Sequence, residues 1–145
     1  INTGLRISDL LPLKVKNIRN QDYIILVEKK TSKNKRFPIN NDLKEEIREY
    51  TQGMVENDYL FPSQKGGHIE RVRAYEVLKE AGYKAGIGEI GTHTLRKTFG
   101  YHFYKKYKDV AMLQKIFGHS APSVTLRYIG IEQDEIDEVL KDFSL

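Results

Sequence analysis

One short run, Tyr23-Ile-Ile-Leu-Val27, is dense in β-branched and aromatic residues and bounded by polar clusters, so it reads as a strand. The polar stretch from Lys29 to Lys35 reverses the chain into Arg36-Phe-Pro-Ile39, read as the partner strand, with Pro38 placing that partner at an edge. Most of the remaining apolar residues recur at helical spacing. The expected fold class is therefore mainly α with a small β-hairpin (α+β). A short helix, Ile7 to Leu11, is entered through Gly4 and stopped at Pro12. Asn41 or Asp42 caps a helix to about Val55, and Ile69 to about Ala85 forms the next, ended by Gly82, Gly86 and Gly88. Thr92 caps a helix through about Tyr107, Asp109 caps another that ends at Phe117-Gly118, and Ser120 opens a turn into a helix carrying Val124, Leu126 and Tyr128. The final segment, Glu132 to Leu145, places Ile136, Val139, Leu140 and Phe143 on one face of an amphipathic helix.

With 145 residues and no repeat, low-complexity tract or Pro/Ser-rich linker, residues 1–145 form one domain with a real core. The sequence opens at Ile1 without an initiator methionine or a leader-like apolar run, so it is expected to be a piece of a longer polypeptide, truncated at its N-terminus. No apolar run reaches bilayer length and 30% of residues are charged, which argues against a membrane segment. Cys 0 excludes disulfides and thiolate metal sites, and a reducing cytoplasm is the expected compartment. The net charge of +4 favours a polyanionic partner only mildly, but its distribution says more. Lys29, Lys30, Lys33, Lys35 and Arg36 crowd one segment, whereas Glu132, Asp134, Glu135, Asp137, Glu138 and Asp142 make the C-terminus acidic. One side is expected to face phosphate and the tail to face something else.

Candidate chemistry lies in the last third. His93 and Arg96 are three apart on a helix and can address one ligand together. A guanidinium keeps its charge and grips phosphate oxygens in a fork. His119 follows a glycine at a helix end, where a side chain can be aimed into a cleft. Arg6 has Asp9 three residues on as its expected salt-bridge partner. Tyr128 is one of nine tyrosines, and a phenol titrating near about 10 attacks poorly without a proton acceptor and nearby cations. Its case therefore rests on the ensemble. His68, His93, His102 and His119 fall in no recognised ligand spacing with carboxylates, so no metal is assigned; His68 and His102 read as structural or surface residues.

In order, Thr3-Gly-Leu-Arg-Ile-Ser-Asp-Leu-Leu11, Lys30-Thr-Ser-Lys33, His93-Thr-Leu-Arg96, Gly118-His-Ser120 and Thr125-Leu-Arg-Tyr128 resemble the tyrosine recombinases, the lambda-integrase-like phage integrase family. Each motif is weak alone, and the order carries the likeness. The resemblance implies a recombinase catalytic domain that cuts and rejoins DNA through a 3′-phosphotyrosyl intermediate without a cofactor. Arg6 and Arg96 would clamp the scissile phosphate, with Asp9 supporting the first. His93 would be the general base, His119 a hydrogen-bond donor to the phosphate, and Tyr128 the nucleophile. The family's hairpin lysine, the general acid, falls on Lys30 when counted back from Pro38, with Lys33 and then Lys29 as runners-up. Lys29, Lys33, Lys35, Arg36, Lys97 and Arg127, with Arg71 or Arg73, would contact DNA backbone. The implied partners are double-stranded DNA at a specific attachment site and further copies of the chain, a tetramer on DNA. In such proteins a C-terminal tail often docks on a neighbouring protomer, and packing on its own domain is the alternative for residues 132–145. The upstream DNA-binding domain and first catalytic-domain helices of the family are not part of the sequence. Two other functions fit the chemistry less well: a type IB topoisomerase and a DNA-binding remnant that does not cut.

Overall fold

The computed structural model describes residues 1–27, 34–88 and 90–131, with 137, 138, 140, 141, 143 and 144. Among the described residues the named elements are six α-helices, one antiparallel hairpin and one 3-10 turn, in keeping with the apolar spacing. Helix α1 is Ile7–Leu10, and Arg6 before it is extended, so its side chain leaves the helix start rather than lying along it. A single 3-10 turn, Val15–Asn17, follows Pro12; nothing in the periodicity marks it. Strands β1 (Tyr23–Val27) and β2 (Asn34–Pro38) pair from Tyr23 opposite Pro38 to Val27 opposite Asn34. The second strand therefore starts two residues earlier than Arg36 and stops before Ile39, whose N–H instead reaches Asp22 O at 2.9 Å. Among the described residues the sheet has two strands, so both are edges and Pro38 breaks no inner ladder.

Helix α2 is Asn41–Tyr50, capped by the Asn40 side chain, which accepts from Leu43 N at 2.8 Å. It ends five residues short of Val55 for a reason outside the segment. The Arg19 guanidinium, arriving from the 3-10 turn, donates to the carbonyls of Thr51 and Met54, and Thr51 Oγ1 turns back to Ile47 O at 2.7 Å. Helix α3 is Arg71–Lys84, two residues later than Ile69, whose N–H is taken by Phe61 O at 2.8 Å. Helix α4 is Thr92–Tyr107 with Gly91, not Thr92, at the cap, where Thr94 Oγ1 accepts from Gly91 N at 2.9 Å. Helix α5, Val110–Phe117, has the expected Asp109 cap on Met112 N at 2.8 Å. Helix α6 is Pro122–Ile129, entered through a bend at Ser120 and Ala121; Ala121 is its cap and Pro122 opens it.

Two apolar clusters hold these elements. Leu5, Leu13, Val15, Ile18, Ile24, Ile39, Ile47 and Leu60 bind α1, the hairpin and α2, while Tyr104, Leu113, Phe117, Ile129 and Ile131 bind α4, α5 and α6. Gly4 joins them: a Cβ there would stand 2.5 Å from Phe99 Cδ1 on α4, so only a glycine, at φ +59°, lets the N-terminal strand of chain lie flat on that ring. Beyond Ile131, Asp137, Glu138, Leu140 and Lys141 are helical, Lys105 Nζ sits 3.5 Å from Glu138 Oε1, and Leu140 and Phe143 are exposed. Ile136 and Val139, part of the expected apolar face, lie outside the described residues. Among the described residues no helix is long and apolar enough to cross a membrane.

Candidate active site

The seam between the two clusters is where the candidate residues meet. Arg96 is on the buried side of α4, 6% exposed, and its guanidinium stacks 4.1 Å from the Phe117 ring centroid. It donates Nη1 to Gly4 O and Nη2 to Phe117 O at 2.9 Å. Arg6, reaching from the other cluster, donates its own Nη2 to the same Phe117 carbonyl at 2.8 Å. Phe117 is the last residue of α5, so that oxygen has no onward helical partner and sits at the negative end of the helix dipole. It serves as the common acceptor for two cations. The expected Arg6–Asp9 ion pair is not formed among the described residues; both residues line one cleft, and the carbonyl takes the guanidinium instead.

Tyr128 sits half-buried near the end of α6 with its ring edge-on to Phe117 and His119 at 5.6 and 5.1 Å between centroids. Its hydroxyl lies 3.1 Å from His93 Nδ1, within the field of the Arg96 guanidinium. Burial pushes the phenol above its ordinary value, and Arg96 and then Arg6 oppose this without reversing it. At rest the tyrosine is neutral, so attack through its oxygen requires the proton to leave as the bond forms. His93, exposed at the first turn of α4, is within reach of that proton.

Burial, then Arg96 and Arg6, hold the His119 imidazole below its usual range, so it is neutral near pH 7. Gly118, left-handed at φ +65°, turns the chain so that His119 faces the tyrosine. Thr125 Oγ1, fully buried one turn before Tyr128, contacts His119 Nδ1 at 3.0 Å. The same hydroxyl reaches Ala121 O at 3.4 Å; in the tautomer whose ring proton is on Nε2, Nδ1 accepts from Thr125 and Nε2 is a neutral donor suited to a phosphate oxygen. For Arg96 burial acts first and Arg6 second to lower proton affinity, countered by Tyr128 and Asp9; a guanidinium keeps its charge regardless.

Other sequence candidates distribute as follows. Lys29, Lys30 and Lys33 lie outside the described residues. Lys35 and Arg36 are on β2, where Arg36 covers the Tyr23 ring at 4.9 Å. Lys97 Nζ is 5.7 Å from the Tyr128 ring centroid, and Arg127 is exposed on α6. Arg71 is exposed at the start of α3, and Arg73 pairs with Glu76 at 3.0 Å. His68 and His102 stand edge-on to Tyr59 and Tyr101, in contacts that do not include the cluster. Sequence reasoning missed three groups: the Phe117 carbonyl, the Gly4 carbonyl and the Thr125 hydroxyl. The first two are backbone atoms and carry no residue-type signal; Thr125, three residues before the tyrosine on one helix face, did carry one.

A mostly helical domain that gathers two guanidiniums, two imidazoles and a phenol at one seam has the parts of a site for phosphoryl transfer to tyrosine. Residues 1–135 match the model of the phage integrase family. The chain is 53% identical over 145 residues to the probable integrase/recombinase YoeC of Bacillus subtilis (strain 168), covering 99% of this chain and 80% of that protein. It is 31% identical over 144 residues to the tyrosine recombinase XerD of Corynebacterium glutamicum, covering 94% of this chain and 47% of XerD. The crystal structure of XerA recombinase matches with a TM-score of 0.77 at 23% identity, over 96% of this chain and 52% of that one. The chain belongs to the phage integrase family, with the fold of a tyrosine recombinase catalytic domain. It spans about half the length of the XerD and XerA proteins it matches.

Proposed function

We propose that this chain is the strand-cleaving domain of a site-specific DNA recombinase or integrase. Tyr128 Oη attacks the scissile phosphorus while His93 accepts the phenolic proton. Arg6 and Arg96 hold the non-bridging oxygens, His119 adds a hydrogen bond, and a hairpin lysine, Lys30 by count, protonates the departing 5′ oxygen. The phosphodiester becomes a 3′-phosphotyrosine of similar energy, which the 5′ hydroxyl of another strand reverses. Asp9 stays on the cleft wall as an acidic neighbour of the arginines. Lys29, Lys33, Lys35, Arg36, Lys97 and Arg127 supply positive charge for the duplex backbone, the duplex carries a specific attachment site, and four copies assemble on it. The 3.1 Å contact between Tyr128 Oη and His93 Nδ1, with the Arg96 charge nearby, carries this reading, because a tyrosine used only for packing needs neither group.

The test is a suicide substrate: duplex DNA nicked so that the short cleaved strand diffuses away, incubated with the chain and with the longest natural polypeptide that contains it. A covalent protein–DNA band on a denaturing gel is expected, absent from Tyr128→Phe, with DNA binding retained. A band that persists in Tyr128→Phe contradicts the assignment.

A further inference from the structure

By sequence, Lys35 is one backbone-contacting cation among several in the hairpin. Its place in the fold is more particular. It is half-buried on β2, opposite Leu26. A Cβ added to Gly118 would stand 3.1 Å from Lys35 Nζ and 3.8 Å from Arg6 Nη2. The ammonium and one guanidinium therefore flank a single point, on the residue directly after the carbonyl that binds both Arg6 and Arg96. Arg6, Lys35 and Arg96 also share the wall of one cavity of about 360 Å³, with Ser8 and Asp9 among its other lining residues.

Like charges gathered at one cleft repel, and the repulsion falls when an anion with several acceptor oxygens is set among them. The fold accepts the crowding. It ties the two guanidiniums to backbone oxygens and leaves position 118 without a side chain where the ammonium approaches. A phosphodiester, with two non-bridging oxygens and one negative charge, matches three converging donors better than a surface contact would.

We propose that Lys35 is a third phosphate-holding cation of this site, its ammonium contacting a non-bridging oxygen of the scissile phosphodiester beside Arg6. The inference rests on the strand-cleavage reading and deepens it. Lys35 keeps its proton throughout: no bond forms or breaks at Nζ, which offsets charge on the pentacoordinate phosphorus. That separates it from the hairpin lysine that gives its proton to the leaving oxygen. Gly118 acquires a second role beside its left-handed backbone, since any Cβ would push the ammonium away.

The test measures single-turnover cleavage of two suicide substrates, one with the ordinary 5′ oxygen and one with a 5′-bridging sulfur, which departs without a proton. Lys35→Met and Lys35→Gln should each cut both substrates on the order of 10²-fold more slowly than wild type, at an unchanged melting temperature. Lys35→Arg should recover a large part of the rate. Cleavage at the wild-type rate in Lys35→Met overturns the proposal, and so does a sulfur substrate that restores that variant, because proton donation would then be the role. Wild-type protein that forms no adduct with either substrate contradicts strand cleavage itself, whereas equal cleavage by wild type and Lys35→Met removes only Lys35.

Discussion

The region from α4 to α6 and the region from α1 to α2 build the same cleft in different ways. The first carries His93, Arg96 and Tyr128 on helices, and His119 on the turn between α5 and α6, all around one apolar cluster of which Leu113 and Phe117 are fully buried. The second contributes Arg6 and Lys35 from a separate cluster around Val15 and Ile24. The proposed nucleophile Tyr128, its proposed base His93 and the buried Arg96 are placed by packing within one helical unit. The remaining positive charge arrives across a seam closed by Arg96 on Gly4 O, Arg6 on Phe117 O and the face of Phe99. The cations of the cleft are thus divided between the two regions, and docking brings Arg6 and Arg96 onto one carbonyl.

If that division holds, the two arginines should fail differently. Arg96→Ala removes the group that both stabilises the reacting phosphate and bridges the regions, so cleavage should drop by about 10³-fold or more. It should also lower unfolding free energy by about 1–3 kcal/mol, read from urea melts, since the buried Gly4 carbonyl loses its donor and the Phe117 ring its stacked guanidinium, while Arg6 still serves Phe117 O. Arg6→Ala should cost about 10²-fold in cleavage with the melt nearly unchanged, because Arg6 is exposed and Arg96 still serves Phe117 O. Equal loss of stability in both would erase the distinction. Gly4→Ala attacks the seam without touching a charge: overpacking on Phe99 at a left-handed position should destabilise by about 3 kcal/mol. Thr125→Val keeps the volume but frees His119 Nδ1, and cleavage should fall about tenfold with little change in DNA binding.

The smallest effect is a pH dependence. His119 is depressed in the folded protein, by burial first and by the arginines next, while the unfolded chain takes up its proton near about pH 6.5. Its contribution to stability is complete above that value and is lost as the pH falls through the folded pKa. Urea melts of wild type and His119→Gln on either side of about pH 6.5 should show the wild type losing more stability on acidification, by a modest margin because the ring is partly solvated.

What could be read from sequence was mostly local. The mainly helical class with one hairpin, the Asp109 cap, the Gly118 stop and the shared face of His93 and Arg96 all depend on residues within a few positions of one another. Local reasoning went astray where distant groups intervened. Arg6 has Asp9 three residues away, yet it binds the carbonyl of Phe117, far along the chain. Helix α2 has helical spacing beyond Tyr50, yet Arg19 claims the carbonyls that would continue it. Lys35 shares its composition with its neighbours, and only the approach of β2 to Gly118 sets it apart. The choice of Lys30 over Lys33 and Lys29 falls outside the described residues.

The most direct measurement is to digest the covalent adduct with trypsin and nuclease and sequence the modified peptide by mass spectrometry. Cleavage after Arg127 and Lys141 releases residues 128 to 141, and the account predicts a nucleotide joined through its 3′ phosphate to the first residue, Tyr128. A nucleotide found on any other residue, or attached through a 5′ phosphate, would contradict it.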